Sequence, residues 1–406
     1  MNSPIVMRSR TYSRIEESPC PGCGFAKCSV FYRADDVPVH SVLLVSNRES
    51  ALRFRRGVIE LGLCHRCGFI SNTAFDPTAH SYSEAYEETQ GFSATFQSFH
   101  RRLAQMLVDD YGIRGKRVVE IGCGKGEFLS LICELGDNTG IGFDPSFVPA
   151  RNPAGDGTRV EFIQEFYSES NGTVDADLIC CKMTLEHIAD TRGFVQTVRN
   201  CAAKSPGTLV YFQVPDFSRI IQDAAFWDIY YEHCSYFTAA SLRYLFESTG
   251  FDVISVSTDY DGQYLQIFAV PAVGLTPRTP DAYIDQSNMQ NTLERFAAHT
   301  QKKINAWDDM LRDVAELKQK IVLWGSGSKA VAFLSAMNAR DVIEYVVDIN
   351  PYRHHHFLPG TGQTIVGPEF LRTYSPNVVV AMNPVYMNEI HHKLVEVGCD
   401  TRLLTV

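Results

Sequence analysis

The chain has 406 residues, enough for two or three domains with cores of their own. It is 45% hydrophobic and 21% charged, an ordinary globular balance, and no apolar run approaches the roughly 20 residues needed to cross a bilayer. The formal net charge of -10 disfavours a nucleic-acid binder built on a basic surface, and the opening stretch lacks the apolar core of a secretory signal, so a cytoplasmic protein is expected.

Twelve cysteines in such a compartment are thiols or metal ligands rather than a disulfide frame. Cys20-Pro21-Gly22-Cys23 and Cys64-His65-Arg66-Cys67 are paired Cys-x2-Cys turns. Each turn aims two thiolates at one point, and two turns supply four soft ligands, a tetrahedral set that suits Zn2+. Four thiolates leave no open position for water, so the expected role is structural. Cys28 stands outside this spacing. The runs Val37–Val45 and Arg55–Leu63 read as strands, giving a small zinc-bound β domain over residues 1–80.

Residues 81–275 read as a second domain. It opens with a polar, aromatic segment containing Tyr82 and Tyr86, expected to cover a ligand. A helix follows with Phe96, Phe99, Leu103, Met106 and Leu107 at helical spacing. The central signal is Val118-Val119-Glu120-Ile121-Gly122-Cys123-Gly124-Lys125-Gly126: an apolar strand, an acidic residue, a glycine-rich turn, then a helix from Glu127. A second strand, Thr139–Phe143, ends at Asp144. The glycines permit close backbone approach to a nucleoside, and Asp144 can accept from ribose hydroxyls. Glu120 at this position would repel a pyrophosphate and attract an ammonium group. A further strand and the loop after it are expected within 177–188, and another strand over 207–215.

A second polar cluster, Phe226–Thr238, contains Tyr230, Tyr231, Glu232 and His233, with Thr238 placed to cap the following helix. It lies after the fifth strand, and His187 lies after the fourth. Loops at strand C-termini carry the ligands of open α/β sheets, so these groups should converge as a proton-transfer site. Neutral His233 would remove a proton, Glu232 would hold its tautomer, and Tyr230 would donate to the resulting enolate. The alternative is that Glu232 and His233 only cap and pack a loop.

Thr276–Asp281 breaks the pattern, and residues 276–318 read as a helical connector carrying Leu293, Phe296, Ile304, Trp307, Leu311, Val314 and Leu317. Residues 319–406 open with a second strand-turn-helix unit, Ile321-Val322-Leu323-Trp324-Gly325-Ser326-Gly327-Ser328-Lys329-Ala330, followed by a strand ending at Asp348. Arg353, His354, His355 and His356 lie in the next loop, where basic groups could meet phosphates. A nicotinamide cofactor and a substrate nucleotide are both compatible with this short motif.

Glu-x-Gly-x-Gly-x-Gly resembles motif I of the class I S-adenosylmethionine methyltransferases, and the segments 177–188 and 207–215 resemble that fold's fourth strand and loop and its fifth strand. With the cysteine pairs, the chain resembles the three-part C-methyltransferases of nucleotide-linked keto-sugars. Their signature Tyr-His-Glu-His reads Tyr230-Tyr231-Glu232-His233 here. The resemblance implies an α/β fold: a Rossmann-like methyltransferase core, an N-terminal zinc-binding β domain and a C-terminal second Rossmann-like domain. It implies S-adenosylmethionine and Zn2+ as cofactors, the former at Glu120, Gly122, Gly124, Gly126, Asp144 and Lys182. It implies His233 as base, His187 as auxiliary, Tyr230 and Glu232 as positioning groups, and Tyr82 or Tyr86 as a lid tyrosine. The substrate would be a small molecule such as a nucleotide sugar, and the protein a monomer or homodimer. One departure stands out: the sugar enzymes' Gly-Gly-Ser-Leu-Arg segment corresponds here to Tyr260–Gln266, without the arginine. O- or N-methylation of another metabolite, and a non-catalytic scaffold, are the remaining alternatives.

Overall fold

The computed structural model describes residues 14–16, 18–79, 83, 85–151, 159–170, 175–205, 207–273 and 286–406. Tyr82, the 80/81 boundary and the breaker Thr276–Asp281 lie outside the described residues.

Four strands, β1 (Arg14–Glu16), β2 (Cys28–Pro38), β3 (Arg56–Cys64) and β4 (Ile70–Asn72), form an antiparallel ribbon. The strand expected over Val37–Val45 forms only as far as Pro38. Residues beyond it run as a loop that makes isolated bridges from Leu43 to Tyr86 and from Val45 to Phe357. Alternating apolar residues suit a strand and a loop buried between neighbours equally well, and here tertiary contacts decide.

The second sheet contains β5 (Arg117–Ile121), β6 (Thr139–Phe143), β7 (Val160–Ile163), β8 (Leu178–Lys182) and β9 (Leu209–Pro215). A short strand, β10 (Ser235–Tyr236), leaves this region and pairs with β4, extending the N-terminal ribbon. The second sheet is completed by β11 (Phe251–Asp259) and β12 (Tyr264–Pro271), in the order β11-β12-β9-β8-β5-β6-β7. Strands β9-β8-β5-β6-β7 are parallel, and β12 is antiparallel to β9. Chain order reverses between β5 and β8, so the ligand crevice belongs at their C-terminal ends.

A 31-residue helix, Gln286–Glu316, then crosses the molecule. Leu293, Phe296, Ile304, Leu311 and Val314 are buried, whereas Leu317, expected on the same stripe, follows the helix and is exposed. The Phe296 ring packs on Phe31 and Phe217, and Trp307 packs on Phe333, so the helix braces ribbon, core and C-terminal unit together.

The third sheet is wholly parallel: β13 (Ile321–Trp324), β14 (Ile343–Val347), β15 (Thr364–Val366), β16 (Val378–Ala381) and β17 (Arg402–Thr405), ordered β15-β14-β13-β16-β17. Its switch point lies between β13 and β16. Both switch points open into one cavity of about 910 Å³, lined by Gly122, Asp144 and His233 from one side and Gly325, Lys329 and Asn383 from the other. No helix among the described residues is long and apolar enough to cross a membrane.

Candidate active site and metal centre

The four cysteines of the paired turns come together, their sulfurs all within 4.8 Å of one another. Cys20 Sγ lies 3.7 Å from Cys67 Sγ, and Cys23 Sγ lies 3.6 Å from Cys64 Sγ. A tetrahedral Zn2+ with bonds of about 2.3 Å spaces its sulfurs by about 3.8 Å, so the geometry fits that ion. The backbone N–H of Gly22 donates to Cys20 Sγ and that of Arg66 to Cys64 Sγ, which favours thiolates. Cys28 is buried outside this cluster. The cluster is seated on the unit of the second sheet: Phe69 packs on Phe237, which follows β10, at 5.4 Å, and the N–H of Arg192 in the helix Thr191–Ala202 donates to the carbonyl of Pro21.

The glycine turn follows β5 as expected. Gly122, Gly124 and Gly126 all have positive φ. A Cβ on Gly122 would overlap the Thr184 side chain, and one on Gly124 would come within 2.7 Å of Glu88 Oε1. The turn therefore approaches its surroundings more closely than any other residue type allows.

Glu120 is buried, and its carboxylate is ion-paired with Lys182 across the β5/β8 switch point. Lys182 also sits 3.8 Å from the Phe128 ring centre. The sequence offers Glu120 as an anion for a ligand ammonium; in the structure its charge is already shared with Lys182. Its second oxygen has no hydrogen-bond partner among the described residues. Burial pushes the Glu120 carboxyl up, while Lys182 and the helix-start N–H of Leu129 pull it down. Asp144 is similarly occupied in part. One oxygen accepts from the Gly124 N–H at 2.9 Å, the other from the N–H and hydroxyl of Ser146, both at 2.7 Å. A carboxylate has about four acceptor positions, so room remains for a hydroxyl. The orphaned Glu120 oxygen, the glycine cradle and the remaining capacity of Asp144 fit an aminoacyl nucleoside.

Across the cavity, His233 is buried with its ring 4.1 Å from that of Tyr230 and 4.8 Å from that of His187. Sequence thus places His187, Tyr230 and His233 in one cluster, and the structure brings them together. Burial drives His233 well below the ordinary imidazole value, helped by His187 and Lys329, and drives the Tyr230 phenol well up. Both shifts favour the uncharged forms of the two side chains.

Glu232 does not orient His233. Its carboxylate turns the other way and accepts from the N–H and hydroxyl of Ser41, both at 2.7 Å, with His40 Nδ1 at 3.9 Å. With its proton on Glu232, the Ser41 hydroxyl oxygen accepts from the Ser328 hydroxyl at 2.7 Å. Glu232 therefore ties the ribbon to the core, while Ser41 ties it to the C-terminal unit. Tyr231 and Glu232 form a turn closed by the His233 N–H on the Tyr230 carbonyl, and of Glu232 and His233 it is His233 that lines the cavity. The carboxylate that does face His233 is Glu186, with Oε1 3.9 Å from Nε2. The sequence signal for it was present, in Leu185-Glu186-His187 beside the second histidine.

Tyr86 lines the cavity and bridges to Leu43 of the ribbon loop, with its carbonyl accepting from Lys125. The C-terminal loop is held from within, although Arg353 also lines the cavity. Arg353 is buried and donates to the Ser326 and Glu87 carbonyls, and His354 is held by the Asp348 carbonyl. Arg353 therefore serves as an internal strut. Lys329 and Arg219 also line the cavity and share the carboxylate of Asp228. No motif announced that trio.

Residues 87–256 match the methyltransferase domain family and residues 284–401 match the C-methyltransferase C-terminal domain family. The C-methyltransferase NovU of Streptomyces niveus is 27% identical over 308 residues, covering 71% of this chain and 72% of that protein. A ubiquinone biosynthesis O-methyltransferase of Escherichia coli is 32% identical over 127 residues, covering 29% of this chain and 52% of that protein. Among solved structures, magnesium protoporphyrin IX methyltransferase from Synechocystis, with bound S-adenosylhomocysteine, aligns at a TM-score of 0.34 and 14% identity, over 44% of this chain and 84% of that one. The two family matches fall on the two sheets that face each other across the cavity, and the chain is an S-adenosylmethionine-dependent methyltransferase.

Proposed function

We propose that this chain methylates carbon on a keto-sugar linked to a nucleotide, or on a polar metabolite of similar size, with His233 removing a proton next to the carbonyl. The observation that carries this is the single cavity shared by two switch points, with a neutral imidazole between them. One half would hold the cofactor at Glu120, Gly122, Gly124, Gly126 and Asp144, with Lys182 balancing Glu120. The bound cofactor supplies the activated methyl group. Tyr230 would donate to the developing enolate oxygen, where a buried phenol is worth far more than in water. Lys329 and Arg219 line the cavity, paired with Asp228 and, for Arg219, also with Asp223, and would offer N–H donors to an anionic substrate such as a phosphate ester. Cys20, Cys23, Cys64 and Cys67 would hold a structural Zn2+ that fixes the ribbon beneath the core.

One observation favours O- or N-methylation of another metabolite. The turn that differs from the sugar enzymes is used internally: Gln263 and Asn383 exchange hydrogen bonds at 3.0 Å, and the Tyr260 hydroxyl meets that of Tyr386. The residues there clamp core to C-terminal unit. The test is incubation of the protein with keto-sugar nucleotides in deuterated water, with S-adenosylhomocysteine present. Deuterium entering the carbon beside the carbonyl supports carbon methylation. Turnover of an acceptor without exchange favours the second reading.

A further inference from the structure

Glu186 lies in the turn after β8 and lines the cavity. It is 1% exposed, yet neither carboxyl oxygen hydrogen-bonds another residue among those described. A buried carboxylate without donors is costly by several kcal/mol in its charged form. Such a group is poised to take up a proton. What faces it is the Nε2 of His233, at 3.9 Å, while His233 Nδ1 has no hydrogen-bond partner among the described residues.

We propose that Glu186 is the terminal proton acceptor of the site: His233 Nδ1 takes the proton of the acceptor carbon, and Nε2 passes its own proton to Glu186. This rests on the carbon-methylation reading. The substrate C–H bond breaks and Nδ1–H forms, leaving the electron pair on the enolate. The Nε2–H bond breaks and an O–H bond forms on Glu186. The enolate pair then bonds the methyl carbon, and the pair of the broken sulfur–methyl bond stays on sulfur. The carboxylate loses its negative charge as the sulfonium loses its positive one, so the cavity ends no more charged than it began. A histidine acting alone would leave a buried imidazolium, which its surroundings disfavour. The gap must close by about 1 Å to make the hydrogen bond, an adjustment common when substrate binds.

Burial pushes Glu186 up to about 8. Above that pH the pair is carboxylate plus Nε2–H imidazole, the competent base. Below it Glu186 is protonated and donates to Nε2, so the ring proton moves to Nδ1 and the base is blocked. Among the neighbours, burial pushes Glu232 up to about 7 and lowers Lys329, so the midpoint is assigned to Glu186 through its own variant. The Tyr230 and Tyr236 phenols and the Cys181 thiol are driven well up, and Cys234 is pushed up to about 12. Tyr264 is also raised. Lys329 is held by Asp228. His187 shares the turn with Glu186, so its resonances must be separated from those of His233. The same three groups, Glu186, His187 and His233, also lie close enough for a metal ion, but a lysine ammonium beside His233 opposes a second cation.

The test uses the full-length zinc-loaded chain with labelled histidine and bound S-adenosylhomocysteine, followed by NMR from pH 6 to 10. The His233 ring should change from the Nδ1–H to the Nε2–H form with a midpoint near 8. Glu186→Gln should abolish the change, and His187→Gln should retain it while assigning the other ring. Infrared spectra of the unaltered protein should lose a protonated-carboxyl band at the same midpoint, which keeps the proposal testable should Glu186→Gln fold poorly. With an identified acceptor, the rising limb of turnover near pH 8 should vanish in Glu186→Gln, with a loss of about 100-fold at its top. Absence of the tautomer change, its persistence in Glu186→Gln, or a second tightly bound metal held by these three side chains would overturn the proposal. None of the spectroscopic readouts uses an acceptor. Failure of deuterium exchange would therefore reject carbon methylation while leaving the Glu186–His233 pairing separately measured.

Discussion

Replacing Gly122 by alanine isolates the close approach on which the cofactor half depends. Gly122 has φ of +71°, a region where an L-residue loses about 1–2 kcal/mol. The added Cβ would also overlap Thr184, 2.7 Å from its Cγ2 and 2.9 Å from its Cβ. Such overpacking costs about 1–3 kcal/mol, so the combined loss is about 2–5 kcal/mol. The two contributions separate in a double-mutant cycle. Thr184→Ala removes the nearest atoms and should restore about 1–2 kcal/mol to the Gly122→Ala protein, leaving the backbone penalty in place. Thr184→Ala alone loses only the bond from its hydroxyl to the Lys182 carbonyl, about 1 kcal/mol. Denaturant unfolding of the four proteins gives the cycle, and calorimetric titration with S-adenosylhomocysteine gives the matching affinities. A Gly122→Ala protein within about 0.5 kcal/mol of the parent and with unchanged affinity would refute the strained turn as the cofactor cradle.

His233→Asn should reduce turnover about 100-fold or more while S-adenosylhomocysteine affinity, by calorimetry, stays within twofold; equal turnover would remove His233 from the chemistry. Asp144→Ala releases the N–H of Gly124 and the groups of Ser146, and should weaken S-adenosylhomocysteine binding about tenfold or more, since 1.4 kcal/mol is tenfold. Cys64→Ser should abolish stoichiometric zinc by atomic absorption. Because β10 pairs with β4, the same variant should open the His233 loop to proteolysis, and full zinc content with normal resistance would contradict the four-thiolate site.

Much of the fold was legible because its signals are local. An apolar run ending in spaced glycines specifies strand, turn and helix from backbone sterics alone, and Gly122, Gly124 and Gly126 all take the left-handed conformations that motif requires. Thr238 caps the helix Ala239–Ser248 through a capping box. The four cysteines of the paired turns meet because each turn brings two of them together within four residues. Other features failed for a common reason. The carboxylate of Glu232 is claimed by Ser41, 191 residues away, and nothing near Glu232 in sequence says so. The run Val37–Val45 carries strand-like alternation, but its second half is drawn between two other units. Arg353, read as a basic loop residue, lines the cavity, but its guanidinium is held by the carbonyls of Glu87 and Ser326 from distant segments.

The sequence alone determined two glycine turns after strands, two paired-cysteine turns and a loop rich in titratable groups, since each depends on spacing within a few residues. Only the tertiary structure decided that both glycine turns open on one cavity, that β10 ties the His233 loop to the ribbon, and that Glu186 rather than Glu232 meets His233. Those outcomes follow from burying apolar faces of distant segments against one another, and that packing sets side-chain neighbours which no short spacing encodes.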